Sequence, residues 1–209
     1  MTGKETIVEL RAKEELPTKP IQLLMKRITD IAVSVLAFVV LLPLCVVIVA
    51  LICLDSPGAP IYRQKRVGKN GSFFQIYKFR TMYIGTPELP TSEMQLLPSC
   101  ITKFGQILRR TSMDELPQLF NILKGEMSLV GPRPALYNQI ELTAKRLQAG
   151  VLNFPPGITG WAQINGRDEL SDITKVEFDK WYVDNWHYFL DWKIIFATVR
   201  AVLSRRGAI

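Results

Sequence analysis

Two adjacent carboxylates, Asp114 and Glu115, stand between the arginine pair Arg109-Arg110 and the apolar run Leu116-Pro117-Gln118-Leu119-Phe120. A carboxylate beside fixed cations stays ionised and can act as a nucleophile toward phosphorus. Its neighbour can hold a divalent cation against the same phosphate. Further along, Gly131-Pro132-Arg133-Pro134 sets one guanidinium between two prolines. That stiff backbone lowers the entropy cost of holding Arg133 on target. Lys78 and Arg80 lie in Tyr77-Lys78-Phe79-Arg80-Thr81-Met82. Arginine meets phosphate oxygens in a bidentate way, and lysine acts as a point charge. Lys78, Arg80, Arg109 and Arg133 therefore form a candidate phosphate-holding set.

A plainer reading of the carboxylates competes. Ser112-Met113-Asp114-Glu115 fits a capping box. A helix capped at Ser112 would put Pro117 at its fifth position, where the ring meets the carbonyl of Met113. Capping at Asp114 puts Pro117 in the first turn, where a missing N–H costs little. The spacing predicts a helix that starts at Asp114, spans Leu116 to Leu123 and ends at Gly125. Capping and catalysis are compatible, because a helix N-terminus suits a phosphate. Other machinery is sparse. His187-Tyr188-Phe189-Leu190-Asp191 is one residue too short for the His-x-x-x-x-Asp motif of glycerolipid acyltransferases. Gly68-Lys69-Asn70-Gly71-Ser72 lacks Walker A spacing and reads as a turn. One histidine and three scattered cysteines cannot supply a zinc ligand set.

The run Arg109 to Pro134 resembles the signature of the monotopic phosphoglycosyl transferases, bacterial sugar transferases that act on polyprenyl phosphate. Three more stretches match in order. They are Tyr62-Arg63-Gln64-Lys65-Arg66-Val67-Gly68 with Tyr77 to Met82, then Pro156 to Arg167, then Tyr182-Val183-Asp184-Asn185. The resemblance implies that Asp114 is the nucleophile and that Glu115 binds Mg2+. It implies attack on the β-phosphorus of a nucleotide diphosphate sugar, with UDP the expected nucleotide. Polyprenyl phosphate would then take the phosphosugar from Asp114. The matching segment around Tyr182 also holds Asp179, taken as a substrate-binding residue, and Asp184, which equally fits a helix-surface charge.

Composition points to a surface. The chain has 209 residues, 48% hydrophobic, with a net charge of +7. That suits one domain with a real core, attached to an anionic lipid membrane. No helix-turn-helix, zinc-finger or RNA-binding sheet signature is readable, so nucleic acid is not expected as a partner. Cys45, Cys53 and Cys100 form no disulfide framework and read as small hydrophobes in a reducing compartment. No small-residue cleavage site follows a short apolar core, so no secretory signal is expected.

The elements that must position the site begin with a membrane segment. Ile31 to Leu54 carries no charge. As a helix it would extend about 36 Å, enough for a bilayer core of roughly 30 Å. Pro43 must kink or break it. Lys19, Lys26 and Arg27 precede the run, and Arg63, Lys65, Arg66 and Lys69 follow it, so both flanks read as cytoplasmic. A helix that enters, breaks at Pro43 and returns fits both facts. A proline-kinked spanning helix is the alternative, and the resemblance implies re-entry. The sequence carries Leu42 where that family usually has a serine before the proline.

The rest reads as α+β. Residues 1–20 form a loose tail, 21–54 the re-entrant membrane helix-break-helix, and 55–209 a cytoplasmic catalytic domain. A hairpin is expected over Arg63 to Arg80 around the two-residue turn Asn70-Gly71. Residues 83–100 read as a loop. Met127 to Val130 reads as a short strand, Gln139 to Gln148 as a polar helix, and Asn153 to Arg167 as a glycine-rich connector. Two last helices are expected, Asp172 to Asn185 and Asp191 to Arg206, the latter capped by Asp191 and stopped by Gly207. Trp181, Trp186 and Trp192, with Tyr182, Tyr188 and Phe189, fit either an aromatic core or rings at the membrane interface.

The sequence thus predicts a single small membrane-associated enzyme at the cytoplasmic face of a bacterial inner membrane, with some helices lying at the interface. It would start assembly of a lipid-linked glycan. The rival is a non-catalytic basic membrane adaptor, in which Asp114 and Glu115 only cap a helix. The sugar, polyprenol length and oligomeric state are not legible.

Overall fold

A computed structural model of the chain describes residues 19–87, 100–166 and 170–203. Most of the expected tail, most of the expected 83–100 loop, Arg167 and Gly207 lie outside those residues. Helix and sheet are mixed, as the α+β expectation requires.

Helix α1 spans Pro20–Asp55, with Pro20 at its start. It is long and apolar enough to cross a membrane, and only 11% of its most apolar window is buried by the protein. The expected break does not appear: the chain stays helical through Pro43. Packing on both sides of the proline offsets the lost hydrogen bond. Before it, Ala37 rests on Phe74, Ile76, Leu119, Ile122 and Met127. After it, Ile48 and Ile52 pack with Phe79 and Leu108, with Leu44, Cys45 and Val49 alongside.

Polar groups along the same face tie α1 to the rest of the chain. Lys19 Nζ donates to the Trp186 carbonyl at 2.7 Å. Lys26 Nζ donates to the Val130 carbonyl at 2.8 Å and to Asp191 Oδ2 at 2.7 Å. Arg27 donates to the carbonyls of Ile122 and Leu123. Asp30 Oδ1 accepts from the Leu129 N–H at 3.0 Å, and Asp55 Oδ2 from the Phe104 N–H at 3.0 Å. The opposite face, including Leu36, Val39, Val40 and Val46, is exposed.

Strands β1 (Ile61–Val67) and β2 (Phe73–Phe79) pair antiparallel, with Ile61 opposite Phe79 and Val67 opposite Phe73. The expected two-residue turn is a five-residue connection, residues 68–72, holding a 3-10 turn. Asn70 and Gly71 both adopt positive φ there, at 55° and 73°. Their left-handed tolerance was the correct signal, and the loop length was not. Helix α2 (Lys103–Arg110) was not foreseen. Its cap, Thr102, accepts from the Gly105 N–H. Helix α3 is Gln118–Lys124, closed by Gly125 at φ 85°.

Strand β3 (Ser128–Val130) pairs in parallel with β4 (Gly157–Thr159), which lies within the expected connector. Then come α4 (Ile140–Gln148), α5 (Trp161–Ile164), α6 (Asp172–Asp184) and α7 (Tyr188–Leu203). Ser171 caps α6. Asp191 does not cap α7, which starts three residues earlier. It is buried, taking hydrogen bonds from Lys26, Tyr182 Oη and Trp186 Nε1. Three converging donors, one of them 165 residues away, outweigh a local capping role.

The aromatic cluster divides. Trp186 and Tyr182 are core, packed with Val130, Phe154, Val183, Leu190 and Ile194. Phe189 and Phe196 are exposed, and Trp181 stacks on Trp161 at 4.3 Å between centroids.

Candidate active site

Helix α2 is closed by its C-cap Thr111, and Ser112 turns left-handed at φ 56°. A non-glycine residue rarely adopts that conformation, and at a helix exit it reverses the chain. Met113–Glu115 follow as a single 3-10 turn, before α3 begins at Gln118. Ser112 makes no capping bond, and Pro117 occupies the N-cap of α3. The capping reading therefore fails for both Ser112 and Asp114. With no cap to make, the carboxylates face the end of β2.

Lys78 meets them there. Its Nζ lies 2.7 Å from Glu115 Oε1 and 3.7 Å from Asp114 Oδ2. Arg133 Nη2 reaches the same Oε1 at 3.1 Å. Arg109 contributes charge from α2 while its Nε donates to Thr81 Oγ1 at 3.0 Å and its Nη2 contacts Met82 Sδ at 3.2 Å. Lys78, Arg109, Arg133, Asp114 and Glu115 are thus brought together.

The two carboxylates are driven apart electrostatically. Burial raises the Asp114 pKa above its ordinary value, against the pull of Lys78, and the charge of Glu115 adds to the rise. Arg109 and Arg133 only moderate it. Burial would raise Glu115 too, but there the paired and hydrogen-bonded Lys78 and Arg133 prevail. They hold its carboxyl well below the usual carboxylate range. Adjacent carboxylates with opposite shifts are suited to different roles. Asp114 carries the more basic, less engaged oxygens, and Glu115 is the more firmly ionised of the two.

A divalent cation fits this arrangement in one way. Among the described residues, Lys78 Nζ and Arg133 Nη2 both donate to Glu115 Oε1. No group of three or more metal-ligating side chains occurs among the described residues. A Mg2+ held by one or two carboxylates, with its other positions filled by substrate phosphates and water, matches such a site.

Two expected site residues lie elsewhere. Arg80 is buried and donates to the carbonyls of Ser56 and Pro57, both at 2.6 Å. Its guanidinium tethers the exit of α1 and does not reach the carboxylates. The carbonyls left unpaired beyond a helix end outcompete a distant phosphate pocket. Asp179 is 1% exposed and pairs with Arg146 at 2.6 Å, on the far side of the Arg133 turn. Pro43 lies in α1, as expected.

Sequence reasoning missed Asn121 and Arg146. Asn121 is fully buried, with Oδ1 accepting from the Tyr77 N–H and Nδ2 donating to the Gln75 carbonyl and Glu126. It locks β2 onto α3 one residue before Lys78. A polar side chain inside Leu119-Phe120-Asn121-Ile122-Leu123 was the available signal.

Residues 21–205 match the family model described as bacterial sugar transferase. The chain is 43% identical to the sugar transferase EpsL of Bacillus subtilis, covering 88% of this chain and 90% of that protein. It is 37% identical to the exopolysaccharide production protein ExoY of Rhizobium meliloti, over 91% and 90% of the two chains. It is 38% identical to the undecaprenyl-phosphate galactose phosphotransferase of Salmonella typhimurium, over 88% of this chain but 41% of that enzyme. The chain thus spans nearly all of some relatives and about two fifths of others. With a family match running from α1 to the end of α7, over the whole of this carboxylate and cation cradle, the chain belongs to the bacterial sugar transferase family.

Proposed function

We propose that this protein transfers a phosphosugar from a nucleotide diphosphate sugar, UDP-linked in the first instance, to polyprenyl phosphate. The observation that carries the reading is the placing of Asp114 and Glu115 in one cationic cradle, with Lys78 Nζ at 3.7 and 2.7 Å from the two carboxylates and Arg133 Nη2 at 3.1 Å from Glu115. An Asp114 Oδ attacks the β-phosphorus, and the bond from that phosphorus to the bridging oxygen breaks. Nucleoside monophosphate leaves, and an acyl phosphate links Asp114 to the sugar. A phosphate oxygen of the lipid then attacks the same phosphorus, and the Asp114 carboxylate departs as polyprenyl diphosphate sugar forms. Splitting a displacement in two is what covalent catalysis achieves. Lys78 and Arg133 face the oxygens where charge gathers, and fixed cations there lower the barrier. Mg2+, held by Glu115, would neutralise the diphosphate. The undecaprenyl-phosphate acceptor named for the Salmonella relative supports the choice of lipid.

The test is a panel of nucleotide sugars with Mg2+, polyprenyl phosphate and detergent-solubilised protein. Release of nucleoside monophosphate that depends on one sugar supports transfer. Binding to anionic vesicles with no release across the panel would identify a non-catalytic basic adaptor.

We also infer that α1, unbroken at Pro43, lies against the membrane without crossing it, and that the protein sits on the cytoplasmic face of the inner membrane. The support is that both ends of α1 touch the same body of protein. Lys19, Lys26 and Arg27 bind it at one end, and Ile48, Ile52 and Asp55 at the other. A helix that crossed would carry its first turns away from those partners. Single cysteines placed at Lys4 and Lys175, in a background lacking Cys45, Cys53 and Cys100, should both resist an impermeant thiol reagent in intact cells. Both should react after lysis. Labelling of position 4 alone in intact cells would mean that the helix crosses.

A further inference from the structure

We infer that Arg146, held by Asp179, is a positioning residue that fixes the Arg133 turn so that the Arg133 guanidinium reaches the carboxylate pair. The inference deepens the proposed transfer reaction and rests on it. Arg146 lies on α4 and Asp179 on α6. Their side chains are 4% and 1% exposed, and Arg146 Nη2 pairs with Asp179 Oδ2 at 2.6 Å. The second arm of the guanidinium, Nη1, donates to the Arg133 carbonyl at 2.7 Å. From that residue, Nη2 reaches Glu115 Oε1 at 3.1 Å. A continuous path of hydrogen bonds thus leads from α6 to the reacting pair.

The surroundings show why one clamp is needed at Arg133. Pro132 and Pro134 have no N–H to anchor their own backbone. The turn is held through its carbonyls. Pro132 O accepts from Gly157 N at 3.0 Å, and Pro134 O accepts from Arg66 Nη1 at 3.0 Å. Below, Gly131 and Gly157 pack backbone to backbone, with no room for a Cβ on either. The Arg133 carbonyl lies between these fixed points, and Arg146 holds it. A buried ion pair is weak evidence for stability, since apolar residues of similar volume often serve the fold as well. A guanidinium that spans a carboxylate and one turn carbonyl has the geometry to hold a backbone atom in place, and that atom carries the side chain which meets Glu115.

A double-mutant cycle tests this. Arg146→Met keeps volume and removes the clamp. A displaced Arg133 should lower kcat/KM by about 10²-fold, the scale of a misplacement near 1 Å. The loss should be shared by Asp179→Asn and partly restored in Arg146→Lys, which keeps the charge and a donor group but not the two-armed reach. Arg133→Ala alone should cost a similar amount. The decisive variant is Arg133→Ala with Arg146→Met. If Arg146 acts through Arg133, the double variant is no slower than Arg133→Ala, and affinity for UDP follows the same pattern. Losses that multiply would make the pair a structural bridge between α4 and α6 and overturn the inference. If Arg146→Met does not fold, Asp179→Asn takes its place in the cycle. A wild-type protein that turns over while the cycle multiplies sinks only this inference. A wild-type protein that turns over no nucleotide sugar sinks the transfer reading and this inference with it.

Discussion

Asp114→Asn should abolish turnover, by at least about 10³-fold, because the amide cannot accept phosphorus as a carboxylate does. With the correct nucleotide sugar and no lipid acceptor, the parent protein should gain one phosphosugar mass on Asp114. The variant should gain none. An intact-mass spectrum without the adduct, from enzyme that turns over when acceptor is added, would remove the covalent step. The same substitution should stabilise the fold. Burial holds the Asp114 pKa above its ordinary value. A group raised in this way contributes stability only below its unfolded pKa, and that contribution is lost as pH rises through the folded value. At neutral pH its ionisation therefore opposes folding. Asp114→Asn removes that cost, and the melting temperature should rise. A gain in stability together with a loss of turnover on neutralising Asp114 would be a familiar trade of stability for function. Activity should follow the same group. The acid limb of kcat should have its midpoint above that of an ordinary aspartate, and Lys78→Met should move it further toward neutrality. A limb that does not move would separate Lys78 from the nucleophile.

Glu115→Gln should act in the opposite sense on the fold. Lys78 and Arg133 hold its carboxyl below the usual range. That stability is present above the unfolded pKa and lost as pH falls through the folded one. At neutral pH the substitution breaks a largely buried pair and leaves Lys78 without its closest partner. The side chain is 16% exposed, so the cost should fall below the full buried-pair range, at about 1–3 kcal/mol. Turnover should drop by about 10²-fold or more, from lost charge at a phosphate site. Raising Mg2+ should restore part of the rate if Glu115 holds the cation. A variant with normal rate and normal Mg2+ dependence would leave Glu115 only its structural bridge. Asp114→Asn and Glu115→Gln, one atom group apart in chemistry, should thus shift melting in opposite directions.

The carboxylate half of the candidate site was legible because it is local. Asp114 and Glu115 share one turn, and Arg133 is marked by its two prolines. Lys78 is a strand residue whose neighbours fix its face. What failed was competition at a distance. Arg80 reads as one more phosphate ligand until the exit of α1 supplies two carbonyls for it. Asp191 reads as a cap until Lys26, Tyr182 and Trp186 converge on it. Pro43 reads as a break until packing on both sides keeps the chain helical. Thr102 is a good capping residue, yet α2 went unseen because the preceding segment has no periodicity to frame it. For Arg80, Asp191 and Pro43 the local preference was real and contacts from elsewhere in the fold outweighed it.

The pairing of Lys26 with Asp191 has a consequence for biogenesis. The partners are 165 residues apart. At usual rates of synthesis, Lys26 is made roughly 10–30 s before its counter-ion exists. Through that interval it is an unpaired cation flanking an apolar helix, and such a charge restrains its end of the segment from translocating. When α7 is complete, the same ammonium withdraws into the interior and ceases to be a surface charge. One side chain thus changes from an exposed cation in the nascent chain to a buried counter-ion in the finished protein.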